Sequence, residues 1–249
     1  MGRPMPLFPL GTVLFPGLVL PLHIFEPRYR TLVRDLMALP ADSPREFGVV
    51  AIQRGWEVAG PDLTAGQAVS AQETAVARPG GTGGRRAALI LHELGCAAQL
   101  RQVTERPDGR FDIVAVGRTR FRITRVAPSD TPYLVGDVED VPESVGDSEV
   151  AEALAPRVLA AFRRYLRLVQ ADPDRIAEQL PEDPTVLSYL VAAAANLTVN
   201  DRQHLLAQPD TASRLRAELT LLNREETLLG RVRAVPATLA DLAAPTSPN

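Results

Sequence analysis

The chain has 249 residues, 27 basic and 30 acidic side chains and three histidines, for a net charge of −3. Every basic residue is arginine, which excludes Schiff-base chemistry, a Ser-Lys dyad and the phosphate-contacting lysine of a P-loop. One cysteine excludes an internal disulfide and a cysteine-rich zinc site, while 45% apolar and 23% charged residues are ordinary for a chain that buries a core.

Residues 5–25 carry no charge, which is the length of a membrane span. Prolines at positions 6, 9, 16 and 21 argue against one, since each costs a helix interior ~3 kcal/mol. No unbroken apolar run of the signal-peptide kind is present. The stretch reads as extended pieces, Thr12–Phe15 and Leu18–Leu22, of a cytoplasmic protein with no membrane partner. Glu26-Pro27 then starts a helix, because proline at the first helical position lacks only an N–H that has no partner there. It continues to about Leu39, with Tyr29, Leu32, Val33, Leu36 and Met37 at helical spacing. Phe47–Gln53 reads as a buried strand. Trp56 follows a turn at Gly55, and Arg78–Arg86 reads as an exposed glycine-rich loop.

Alternation at Cys96, Ala98 and Leu100 predicts a strand. Arg106-Pro107-Asp108-Gly109-Arg110 predicts a hairpin turn. Phe111, Ile113 and Ala115 share one face of the returning strand, which Gly117 is expected to break. Phe121 and Ile123 then alternate with Arg120, Arg122 and Thr124, and Tyr133–Val138 adds a strand. Near residue 145 the period turns helical, with Val150, Leu154, Val158, Phe162 and Tyr165 on a stripe and Pro156 as a kink or a later start. Asp172-Pro173, Asp183-Pro184 and Thr198 mark further helix starts. A last helix spans about Thr211 to Val232, before a loose tail. The expected class is α+β: a small barrel or a strongly curved sheet over 1–142, a helical domain over 148–235 and a tail over 236–249.

The order Phe8-Pro9-Leu10, Val13-Leu14-Phe15-Pro16-Gly17 and Leu20-Pro21-Leu22-His23-Ile24-Phe25-Glu26-Pro27-Arg28-Tyr29 resembles the opening of the Lon protease N-terminal domain. Val116-Gly117-Arg118-Thr119-Arg120-Phe121-Arg122-Ile123 and Arg202-Gln203-His204-Leu205-Leu206 fit the same family, over about residues 5–232. The resemblance implies a PUA-like β-barrel followed by a helical bundle, a region that in full Lon proteases recognises protein substrates and helps assembly. With no Walker A motif and no lysine, the chain resembles a stand-alone form without the ATPase and peptidase. The expectation is a non-enzymatic module that captures unfolded or exposed apolar segments of client polypeptides, or binds a protease, with no cofactor and no metal.

For such capture the candidate contacts are Phe15, Pro16 and Leu18 in a proline-rich loop, and Trp56 between Gly55 and Gly60; packing is the plainer role for each. The alternative is RNA binding through an arginine-rich ribbon. Residues 101–125 carry seven arginines and three acids, with Arg118, Arg120 and Arg122 as the phosphate contacts. A solvated outer ribbon face is the preferred reading of those arginines, because Phe111 and Phe121 share the inward phase and leave no stacking platform. His92-Glu93-Leu94-Gly95-Cys96 has ligand-type residues four apart, but a strand entry at Gly95 does not place them on one helix face, and a buried thiol is preferred to a zinc site.

Overall fold

The computed structural model describes residues 2–40, 42–54, 75–76, 89–169 and 180–234. Its strands are β1 (Arg3–Leu10), β2 (Val19–Ile24), β3 (Glu46–Arg54), β4 (Ala75–Val76), β5 (Leu89–Leu91), β6 (Leu94–Glu105), β7 (Phe111–Ala127) and β8 (Leu134–Val141). The described helices are α1 (Pro27–Ala38), α2 (Ser148–Val169), α3 (Pro184–Ala194), α4 (Val199–Leu206) and α5 (Thr211–Ala234). The class is α+β: a mixed sheet, with α1 between β2 and β3, precedes helices α2 to α5. Strands β1, β8, β7, β6 and β3 pair in that order, and β3 pairs back onto β1, so the five form a ring. The β1–β3 ladder is parallel and the other ring ladders are antiparallel.

The opening segment differs from its expectation. Arg3–Leu10 is a strand despite three prolines, and Thr12–Phe15 is not one. The reason lies in the ladders. β1 pairs with β8 from Arg3 to Leu7 and with β3 from Leu7 to Leu10. Pro4, Pro6 and Pro9 therefore sit where only one flank is paired, the condition under which a strand accepts a missing N–H.

Helix α1 begins at Pro27 after Glu26, whose carbonyl accepts from the Tyr29 and Arg30 amides. It buries Tyr29, Leu32, Val33 and Leu36 against Phe8, Phe47, Leu100 and Phe111. Met37, expected on that stripe, is exposed. The turn at Arg106–Arg110 forms as read, closed by the Arg106 amide donating to Arg110 O at 2.8 Å, with Gly109 at φ +74°. Gly117 does not interrupt β7. It lies inside the strand, and its lack of a side chain lets the Phe15 carbonyl pack onto that backbone.

Helix α2 starts at Ser148 and runs on through Pro156, so the proline neither delays nor ends it. Asp183 and Thr198 cap α3 and α4 by accepting from the Val186 amide at 2.8 Å and the Asp201 amide at 3.1 Å. The helices share one core with part of the sheet. Phe162, Tyr165, Val191, Leu205 and Leu215 pack in the same cluster as Val13, Phe15, Ala51 and Leu94. Trp56, Arg78–Arg86, the Asp172-Pro173 start and the 236–249 tail lie outside the described residues.

Candidate functional site

β2 stands apart from the ring. It pairs with Phe111–Val116 of β7, the half of β7 that β8 leaves free. The Gly117 amide donates to Leu18 O at 2.9 Å, and the ladder continues in the same register to Ile24↔Phe111. In that register Leu20, Leu22 and Ile24 occupy the bonded phase, and Val19, Pro21 and His23 the alternate one, with their backbone groups directed away from β7. Pro21 fits this outward phase because its absent N–H costs no ladder bond. Among the described residues β2 pairs with β7 alone.

Beside this strand lies an apolar groove of about 280 Å³. Its walls are Phe8 and Leu10 from β1, Leu22, His23 and Ile24 from β2, and Phe25, Glu26 and Tyr29 at the start of α1. Phe8 stacks on Tyr29 with ring centroids 3.9 Å apart, which fixes the floor. Arg28 and Glu26 pair at 2.9 Å, and Arg28 sits 4.4 Å from the Tyr29 ring centre. Phe25 is 48% exposed and Val19 63% exposed, so two large apolar side chains stand in solvent, Val19 at the start of β2 and Phe25 just past its end. On the other face, Pro21, Gln102, Thr104, Asp112 and Val114 line a shallower depression of about 310 Å³. There His23 Nδ1 lies 2.7 Å from Asp112 Oδ1, and Arg106 Nε donates to Asp112 Oδ2 at 2.7 Å. These two bonds, His23 first, hold the Asp112 carboxyl below the usual range.

The predicted contacts are not gathered here. Phe15 is fully buried and its ring lies 5.9 Å from that of Tyr189. It joins the sheet to the helices and offers no surface, which corrects its reading as a contact. Pro16 and Leu18 are half-buried, and Leu18 packs against both neighbouring cores at the entrance to β2. Trp56 is outside the described residues. The spacing that marked Phe15 gave no reason to prefer Phe25, which is separated from Phe15 by one strand and distinguished only by its position at the open end of it.

The arginine ribbon is also redistributed. Arg118 and Arg122 are exposed, and Arg122 pairs with Glu93 at 3.0 Å. Arg120 is buried, which corrects its reading as a phosphate contact. The ribbon face expected in solvent is covered there by the end of α4, and Arg120 Nη1 donates to Leu206 O at 2.9 Å and to Gln208 O. Arg106, Arg110 and Arg125 pair with Asp112, Asp108 and Asp137.

Arg120 belongs to a polar junction of two buried arginines and a partly exposed glutamate that sequence spacing did not reveal. Glu143, in the connection between β8 and α2, accepts from Arg214 Nη2 at 2.9 Å, lies 3.2 Å from Arg120 Nε and accepts from the Tyr189 hydroxyl. Arg214 also donates to Ser188 Oγ at 2.9 Å and stacks 4.0 Å from the Tyr189 ring centre. Gln203 Nε2 donates to Leu94 O at 2.7 Å, so a helix side chain satisfies a sheet carbonyl. Cys96 is buried, and desolvation pushes its thiol up to about 12, so it is inert as a nucleophile at neutral pH. His92 Nε2 is buried without a partner and desolvation lowers its pKa. No group of three His, Cys, Asp or Glu residues assembles a metal site among the described residues. No helix among them is long and apolar enough to cross a membrane.

The molecule combines a strand ring, an apolar groove beside an open strand and a helical part locked on by buried arginines. The chain belongs to the ATP-dependent protease La (LON) substrate-binding domain family, whose model matches residues 4–224. Similar proteins include Lon protease 1 of Herpetosiphon aurantiacus, 27% identical over 88% of this chain and 24% of that protein. Lon protease 1 of Thermus thermophilus is 32% identical over 54% of this chain and 17% of that protein. The chain therefore spans about a quarter or less of the curated relatives' length. Among solved structures, the N-terminal domain of the Mycobacterium avium complex Lon protease matches with a TM-score of 0.60 and 19% identity, over 89% of this chain and 98% of that one. The Lon N-terminal domain protein from Xanthomonas campestris matches with a TM-score of 0.53 and 22% identity, over 88% of this chain and 98% of that one. These likenesses support the fold.

Proposed function

We propose that this protein is a non-enzymatic module that captures exposed apolar segments of client polypeptides, in the groove bounded by Phe8, Leu10, Leu22 and Phe25. One observation carries the reading: Val19 and Phe25 stand exposed at the two ends of β2, beside an apolar groove, in a substrate-binding family. Pro16 and Leu18, which lead into β2, extend the same surface, and Trp56 is a further contact to test. A cluster of exposed aromatic and aliphatic groups binds a chain by removing apolar area from water, with little demand on its sequence.

The test is binding of a reduced, alkylated lysozyme, which cannot refold, to wild type and to Phe25→Ser. Phe25 has half its side chain in water, so its loss leaves the core packed. An aromatic anchor contributes ~2 kcal/mol, or about thirtyfold in affinity. Unchanged binding by folded Phe25→Ser would remove the groove from the mechanism, and Trp56→Ala would then show whether that side chain carries the contact. No observation favours RNA: of the seven ribbon arginines, Arg106, Arg110, Arg122 and Arg125 pair with carboxylates and Arg120 is buried, which leaves Arg101 and Arg118 exposed.

The strand ring is read as a PUA-like barrel, the helices as a bundle, and the division between them as residues 142–148. Residues 1–145 alone are expected to keep β-type circular dichroism, because two of the three core clusters lie wholly within them. The fragment should melt below the whole chain, since Val13, Phe15 and Leu94 lose their helix partners. A coil spectrum would move the boundary.

A further inference from the structure

We propose that the groove's occupant binds as an added β-strand along the open edge of β2, a mode that rests on the polypeptide-capture reading above and specifies how capture occurs. An apolar groove alone would accept a helix, a loop or an extended chain. The edge narrows the choice. Val19, Pro21 and His23 turn three carbonyls and two N–H groups away from β7, and no described strand pairs with them. Among polypeptide conformations, an extended backbone is the one that pairs with such a row in place of water.

A strand laid there sends successive side chains to opposite faces. One set enters the groove against Phe8, Leu10 and Phe25. The other stands in water beside the exposed side chains of Val19, Pro21 and His23. The occupant is therefore apolar at every second position and polar between. Charge sets its end. Where β2 closes on Phe111, the Arg30 and Arg34 guanidiniums both approach Gly109, and Arg34 lies 5.6 Å from the Phe111 ring centre. Neither has a carboxylate partner among the described residues, so an acidic flank is favoured at that end. Pro21 supplies no donor, which leaves the ladder incomplete and the complex readily released.

The test uses a labelled decapeptide of alternating Ile and Thr that ends in Asp-Asp, titrated with the whole protein by fluorescence anisotropy. Two derivatives carry N-methyl groups on three residues of one backbone edge or on three of the other, with all side chains unchanged. Strand addition predicts that one derivative loses about tenfold or more in affinity while the other binds as the parent does. Equal behaviour of the two overturns strand addition and leaves apolar capture standing. A parent peptide that does not bind overturns both. Arg30→Gln with Arg34→Gln should weaken the Asp-Asp peptide and leave a Ser-Ser counterpart unchanged; equal effects on both overturn the acidic-flank assignment.

Discussion

Arg214→Ala is expected to lower the unfolding free energy by about 3–5 kcal/mol, read as a fall in the urea midpoint. The guanidinium is fully buried in α5 and serves Glu143, Ser188 Oγ and Leu205 O, while its plane covers Tyr189. Truncation leaves those groups short of a donor and opens a cavity in the helical core. Glu143 keeps a third of its side chain in water, so water offsets part of its loss and the lower end of the range is expected from that contact. Arg120→Ala should act in the same direction, because it strips donors from Leu206 O, Gln208 O and Pro142 O. Both arginines share Glu143, so the double variant should be non-additive. Arg118→Ala, at an exposed position, should stay within about 0.5 kcal/mol of wild type. A midpoint for Arg214→Ala equal to that of Arg118→Ala would show that the junction does not hold the helices to the sheet.

Glu218→Gln should flatten the pH dependence of stability. Glu218 is buried in α5, neither carboxyl oxygen has a hydrogen-bond partner, and desolvation raises its pKa well above 4.5, against a smaller opposing pull from Arg214. The folded state therefore holds a proton that the unfolded chain releases near 4.5. Between that value and the raised folded one, the native state binds more protons, and stability falls as pH rises, by ~1.4 kcal/mol per pH unit. The contribution is complete below the unfolded value and lost through the folded one. Asp112, Asp201 and Asp210 have lowered values and titrate beneath this window. Glutamine carries no titrating proton, so the difference between variant and wild type should grow in the variant's favour from pH 5 to pH 8. Parallel stability curves over that range would mean that Glu218 is charged in the fold.

The sequence by itself determined the local elements, because their causes are local. Pro27 after Glu26, Asp183 and Thr198 as caps, and Gly109 in the hairpin each act within a few residues, and the apolar periods of α1, β7 and α2 state which face is buried. It also carried the family, since the ordered prolines and Glu26-Pro27-Arg28-Tyr29 are legible without coordinates. Tertiary structure alone decided what those faces meet. Phe15 and Phe25 are alike in sequence, yet one is sealed by Tyr189 and the other stands in water, because the helical part covers only one end of β2's approach. Arg118, Arg120 and Arg122 share one spacing, and only the arrival of α4 buries the middle one. Glu143 lies in a connection that reads as solvent, and it becomes the acceptor of two buried arginines distant in the chain because the ring and the helices meet beside it. Burial and ion pairing at such points depend on contacts between segments far apart in sequence, and a periodic pattern within one segment holds no record of them.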